Sequence, residues 1–506
     1  MPTGTEVPQY KTINRNQMFW DSIDCEDLIP AQHVARAIWA MRGRLDLSEF
    51  EQDIRSFEGA GGRPCWPARL LVSVLVYAYS EGVSAVRRME RMAERDPGMR
   101  WLCGGEQVNY HTLAEFRMQK QERLEKLLQE LLAQLQQEEL IDLELVTQDG
   151  TKVRAVASTQ SMRRRKTLEE HREQAREALR KLQAEGEPEK GPAAQGQPGA
   201  NQALTVAEAA RLRAAREKVA RLEAAMTEWE QRAQQRTEAE QGRLRISESE
   251  PEARKMKQTD GGFAPSYNVQ SSTDGKHKIV LAVAVTQDHA DIGQLQPALP
   301  RIVSYAGGKP RRMVTDGGYA SRANVRAMSE QGVEFLAPWK EDSAREAGAL
   351  KRQGIDAEFG AAAFPRVAEQ DVLRCPAGKL LLLVQQHRHH GEDCQIYQAA
   401  AQDCAACAFQ SRCCGRPAQR QQHRVLEGPA MQAYLERMQQ APAQALYKRR
   451  KAVAETPHLW WKANFGWRQF SVRGLARATK EMLWVAITYN IRQWARLKWA
   501  PQPVEV

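Results

Sequence analysis

Two aspartates close β-type runs and precede a glycine: residues 143–147 lead into Gln148-Asp149-Gly150, and RRMVTDG leads into Asp316-Gly317. Glycine permits a sharp exit, so each carboxylate is expected at a strand end, on the sheet rim where α/β proteins place ligands. Either aspartate alone is more often a turn residue. The pair suggests a shared purpose, because hard carboxylate oxygens suit Mg²⁺, and two such ions about 4 Å apart can assist both the attacking and leaving oxygens of a phosphodiester. A third acid is then needed. Glu455 is the candidate, standing in YKRRKAVAETPHLWWK among Lys448, Arg449, Arg450, Lys451 and Lys462. An acid among bases ordinarily marks surface ion pairing, but the same bases suit a phosphate backbone held beside the acid.

A second constellation is built from sulfur. Six of the nine cysteines fall between Cys375 and Cys414, and Cys404-Ala-Ala-Cys407 followed by Cys413-Cys414 has the spacing of a zinc knuckle. Cys375, Cys404, Cys407 and Cys413 form the expected structural Zn²⁺ set, with Cys413 preferred to Cys414. Four thiolates leave no open position, which implies a structural role. Reduced buried cysteines or a redox pair are the alternatives, and His387, His389 and His390 are read as solvated loop histidines.

The elements that must position these groups follow from periodicity. Residues 17–140 repeat apolar positions at helical spacing between Gly/Pro breaks, predicting an all-α N-terminal domain over 1–140. Within it Arg87, Arg88, Arg91 and Arg95 make a basic stripe, a solvated face or a DNA contact. Residues 141–162 carry the first core strand with Asp149. Residues 163–245 are Arg/Glu/Gln/Ala-rich, with Val219, Leu222, Met226 and Trp229 spaced as a coiled-coil seam and a Pro/Gly/Gln break at 186–202, predicting a helical hairpin insertion. The core resumes over 246–340 with an antiparallel hairpin turning at Asp274-Gly275, a helix, the Asp316 strand, a helix ending on Gly332 and a last strand. A Cys-rich insertion spans 341–440, and C-terminal helices with Glu455 fill 441–506. The predicted class is therefore α/β, a mixed sheet flanked by helices and interrupted by two insertions.

Bulk properties agree. At 506 residues the chain exceeds what one core holds, and 73 Lys+Arg against 63 Asp+Glu give a net charge of +10, favouring an acidic polymer as partner. No segment has the ~18 apolar residues of a membrane span, and the N-terminus lacks an apolar signal region. A cytoplasmic location without membrane association is expected, where disulfides are disfavoured.

The chain resembles bacterial insertion-sequence transposases with a DDE triad, in particular the group with a helical N-terminal domain and a Tyr/Arg/Glu/Lys signature. The resemblance rests on GRPCWPARLLVSVLVYAYSEGVSAVRRMER, TQDGTKVRA, PEARKMKQTDGGFAPSYNVQ, VTQDHADIGQLQP, MVTDGGYAS, YKRRKAVAET and FSVRGLARATKEMLWVAITYNIR, in the family's order over 17–160 and 245–495. It implies a ribonuclease-H-like core, Asp149, Asp316 and Glu455 as catalytic ligands of two Mg²⁺ (or Mn²⁺) ions, and Tyr447, Arg450 and Lys462 on the terminal phosphates. It further implies cleavage at element ends followed by strand transfer, Arg87, Arg88 and Arg91 on end DNA, and a homodimer around two ends. Val156, Glu250 and TPHLWW depart from the family pattern without removing a proposed ligand. A catalytically weak or domesticated DNA-binding regulator, an assembly scaffold built on the coiled coil, and a plain nuclease are the rival readings.

Overall fold

The structure is a computed structural model and describes residues 24–52, 65–185, 205–258, 261–339, 343–367, 371–389, 392–415 and 419–500. The break expected at 186–202 and His390 lie outside these residues.

The described residues between 24 and 137 fold into helices, chiefly α1 (Val34–Arg42), α2 (Ala68–Ser80), α3 (Val86–Arg95), α4 (Pro97–Cys103), α5 (Tyr110–Arg117) and α6 (Gln121–Gln137). Every residue of α2 except Arg69 is buried, as an all-round apolar helix requires. Local chemistry sets the boundaries of α4: Asp96 accepts from the Met99 amide at 2.8 Å, Pro97 opens the first turn, and Gly104 ends it in the left-handed region at φ 60°.

The main sheet comprises β1 (Leu145–Arg154), then, beyond the short ribbon of β2 (Met162–Arg163) and β3 (Ile246–Ser247), β4 (Arg254–Lys257), β5 (Phe263–Asp274), β6 (Val280–Thr286), β7 (Arg312–Val314) and β8 (Glu334–Leu336). Its order is β4-β5-β1-β7-β8, with β6 also on β5; β1 is antiparallel to β5 and parallel to β7, which is parallel to β8. This curled mixed sheet is consistent with a ribonuclease-H-like core. The β5–β6 connection is longer than a two-residue turn. Asp274 organises it by accepting from the amides of Lys276, His277 and Lys278. Gly332 ends its helix at φ 66°, as the sequence implies.

Between β2 and β3 the chain forms α7 (Arg165–Glu185) and α8 (Val206–Ala233), which pack antiparallel. Val219, Leu222, Met226 and Trp229 are buried against Leu168 and Ala175, so the expected seam is the contact. After β6 come α9 (Leu295–Ala306) and, between β7 and β8, α10 (Arg322–Glu330). The Cys-rich region carries an antiparallel sheet that the sequence reading did not foresee: β9 (Arg366–Val367), β10 (Val372–Arg374), β11 (Leu380–His389), β12 (Glu392–Ala399) and β13 (Gln421–Val425). The C-terminal helices are α11 (Pro429–Gln439), α12 (Ala441–Leu459) and α13 (Leu475–Leu497).

Side-chain alternation divides the main sheet between two layers. Val146, Met313 and Phe335 point into the large core, whereas Leu145, Val314 and Leu336 pack on Ala443, Leu446 and Tyr447 of α12. The large core is continuous from the N-terminal helices through the sheet to α13. Trp484 of α13 donates to the Arg117 carbonyl at 3.0 Å and Trp494 to Glu138 at 2.7 Å. The N-terminal helices thus share their core with α13. Among the described residues, no helix is long and apolar enough to cross a membrane.

Candidate active site

Parallel pairing of β1 and β7 puts Thr147 opposite Val314. Asp149 and Asp316 each lie two residues further along, on the same face as their partners, and strands pair at roughly 5 Å, so the two carboxylates stand side by side. The sequence expectation needs one correction: Asp149 lies inside β1, because β5 pairs with that strand as far as Arg154. What ends beside Asp149 is the parallel neighbour, which still leaves the carboxylate at a rim. Asp316 does follow its strand, and its Oδ1 accepts the Gly318 amide at 2.7 Å.

Burial pushes the Asp149 carboxyl up to about 6; Arg450 and the Gly150 amide oppose this, while Asp316 and Asp291 add to it. The Arg450 guanidinium is 3.6 Å from Asp149 Oδ2, with the Tyr447 ring 6.0 Å from its centre. Lys462 donates to Thr151 Oγ1, two residues along the same face from Asp149, and its ammonium is pushed down by burial and Arg468. Tyr447, Arg450 and Lys462 are therefore gathered over Asp149. Lys462 lies in a π-helical turn, Trp460–Asn464, directly after α12.

His458 belongs to the same cluster and was missed by the sequence reading, which noted TPHLWW only as a departure. Its Nε2 shares a hydrogen bond of 2.9 Å with Ser271, the residue opposite Asp149 on β5, and its Nδ1 is 4.0 Å from Asp149 Oδ2. Burial, then Lys462 and Arg450, push this imidazole down to about 3, so it is neutral. A signal was present: His458 follows Arg450 by two helical turns, on one face of α12.

Glu455 is exposed, on the turn of α12 preceding His458. It shares the helix that covers the aspartates but does not join them. Among the described residues, no three His, Cys, Asp or Glu side chains stand together as a metal-holding group. The structure brings together two of the three expected acids.

On the opposite face, Gly150 leaves room for a polar layer. A Cβ there would lie 2.6 Å from Asp291 Oδ1 and 2.4 Å from Gln270 Nε2. Asp291 accepts from Asn268 and Gln270, both at 2.7 Å, and Tyr319 and Gln148 bond to Gln270. Glu250, one of the departures, is buried and accepts from Tyr267, the Ala157 amide and the Gly474 amide at 3.0–3.1 Å, joining β5, the exit of β1 and the start of α13.

The remaining candidates lie elsewhere. Arg87, Arg88 and Arg91 are exposed on α3; Arg87 stacks on Tyr110 at 4.5 Å, whereas Arg88 and Arg91 line a shallow depression with Arg95. Cys375, Cys404, Cys407, Cys413 and Cys414 line one small cavity. Burial and then Cys404 push the Cys414 thiol up to about 12. Among the described residues, no disulfide joins any of the cysteines.

A family profile described as Transposase DDE domain matches residues 232–491, just over half the chain, and places it in the class of DDE-domain transposases. A second, described as Transposase domain (DUF772), matches residues 23–119. Together they show that the chain belongs to the insertion-sequence DDE transposases. The first match contains Asp316 and Glu455 but begins beyond Asp149. No curated protein and no solved structure matches the chain.

Proposed function

We propose that this transposase cleaves the phosphodiester at the ends of an insertion sequence and joins the freed 3′-hydroxyl to target DNA. The observation that carries the reading is the pair Asp149, on β1, and Asp316, just past the end of the parallel β7, with Arg450 from the middle of α12 beside Asp149. Their oxygen donors fit Mg²⁺ or Mn²⁺. Asp149 and Asp316 would hold the ions, and Glu455, exposed on α12, would have to turn toward them to serve as the third acid. Bound metal supplies charge neutralisation at the attacking and leaving oxygens. A cation bound there would favour the ionised form of Asp149. Arg450 and Lys462 hold the phosphate in line, and neutral His458 fixes the Asp149 side of the site through Ser271.

Arg88 and Arg91, with Arg87, contact end DNA, and two protomers hold the two ends. Four of the five cysteines lining the small cavity would hold a structural Zn²⁺; purified protein should then carry one zinc per chain, and Cys404→Ser/Cys407→Ser should lose it. The test of the main reading is incubation of an end-containing duplex with Mg²⁺ and the wild type, Asp149→Ala, Asp316→Ala or Glu455→Ala. Cleavage by the wild type alone is expected. Equal cleavage by all four overturns the site.

A further inference from the structure

The base of the helical hairpin carries a charged groove that the catalytic reading leaves unused. Its walls come from four segments: Arg232 and Arg236 at the end of α8, Arg243 and Arg245 before β3, Lys255 on β4, and His289 beyond β6. The groove has a volume of about 370 Å³. Glu240 is the one carboxylate lining it, and that side chain is occupied in capping, accepting from the Thr237 amide and hydroxyl at 3.0 Å. Neighbouring cations outside the groove are matched, Arg254 by Glu228 at 2.6 Å and Arg163 by Glu248 at 3.2 Å.

Such an arrangement is costly for an isolated chain. Arg232 is half-buried, and burial followed by Arg254 and Arg236 pushes its guanidinium down to about 10. The half-buried Arg232 stands among exposed like charges, Arg236, Arg243, Arg245 and Lys255, whose mutual repulsion an anion in the groove would relieve. An extended polyanion answers all five cations at once, which a single small anion would not. The position is also apt: His289 stands two residues before Asp291, whose carboxylate lies beside Gly150, the neighbour of Asp149, so one short chain segment links the groove to the aspartates.

We propose that this groove is a docking track for the backbone of duplex DNA, separate from the catalytic cluster and from α3. The proposal rests on the transposase reading for its ligand class but not on any metal or catalytic step. Binding is read through phosphates, so it carries no base preference.

The test uses the full chain in EDTA, with a fluorescent 30-base-pair duplex titrated over a range of salt. Arg236→Gln/Arg243→Gln is compared with Arg211→Gln/Arg213→Gln, a pair of exposed arginines far along α8. Losing two phosphate contacts should lower the salt slope by about 2 and weaken binding roughly 30-fold near 0.15 M salt. The control pair should bind as wild type, and the loss should be equal on element-end and unrelated duplexes. Unchanged binding by the groove variant, an equal loss in the control pair, or a loss confined to one sequence would each overturn the proposal. Unaltered thermal unfolding of both variants excludes misfolding as the cause. Because metal is absent, failure of the Asp149 cleavage test leaves this comparison intact, and the reverse also holds.

Discussion

Asp149 sits where function and stability pull apart. Its carboxyl is held up to about 6 chiefly by burial, against an ordinary value of 3.8. Between those two values the folded chain keeps a proton that the unfolded chain has released, so this group's contribution to stability falls as pH rises through the window and stays low above it. Asp149→Asn should therefore abolish cleavage yet stabilise the apo protein by about 2 kcal/mol at pH 7.5, an advantage that disappears below pH 4. Urea unfolding at the two pH values checks this; a destabilised variant at pH 7.5 would show that Arg450 already compensates the charge. Metal must displace the same proton, so metal-dependent activity should rise with pH through about 6. His458, pushed down to about 3, cannot supply that limb. His458→Gln should lower the rate while leaving the limb in place, and a limb that moves would reassign the titration.

At the scale of elements, the hairpin of α7 and α8 is inserted through a narrow neck. Met162 pairs with Ser247 and Arg163 with Ile246, so the chain enters and leaves on neighbouring strands. Replacing residues 165–244 by a short Gly/Ser linker should therefore keep the main sheet, because closing a short loop costs little. Its thermal transition should stay within a few degrees of wild type, with DNA binding weakened by loss of the groove arginines. Collapse of the transition would mean that the hairpin supports the core. The hairpin was legible because Val219, Leu222, Met226 and Trp229 repeat at a seam's spacing, a pattern that few other structures satisfy. The succession of strands and helices along residues 263–336 was legible for a similar reason, as alternation and Gly-closed turns recur there, but their order within the sheet was not read from the sequence. What escaped were relations between distant segments. Nothing local in Gln148-Asp149-Gly150 reveals that β5 extends β1 past the aspartate, and nothing in TPHLWW reveals Ser271 across the site. The second sheet escaped because LLLLVQQHRH has no partner visible in the sequence itself. Glu455 was legible as an acid among bases, but its exposure depends on how α12 rotates over Leu145, Val314 and Leu336.

For the whole molecule, the decisive contact is between the ends of the chain. Helix α13 lies among α1, α2, α6 and β6, and its Trp484 and Trp494 are buried there. Glu481, also buried, accepts from the Ser471 amide at 2.9 Å and from its hydroxyl at 2.7 Å; Ser471 in turn receives Arg117 at 2.9 Å, and Arg117 reaches the Ser84 carbonyl at 2.6 Å. This chain of polar groups crosses from α5 to α13 through the core, where an unmatched charge is costly. Glu481→Ala leaves the Arg117 guanidinium without its facing carboxylate and should destabilise the protein by about 3 kcal/mol, with Arg117→Ala/Glu481→Ala costing less than the two single changes added together. The same continuity bears on the N-terminal helices as a separable DNA-binding module. A fragment of residues 24–140 would expose the surfaces that Trp484, Trp494 and their neighbours cover, losing apolar burial that a domain of that size can ill spare. Such a fragment should show helical circular dichroism without a cooperative thermal transition, and adding a peptide of residues 470–500 should restore one. A fragment that melts cooperatively alone would show that the N-terminal helices close a core of their own, and end binding could then be assigned without the catalytic sheet.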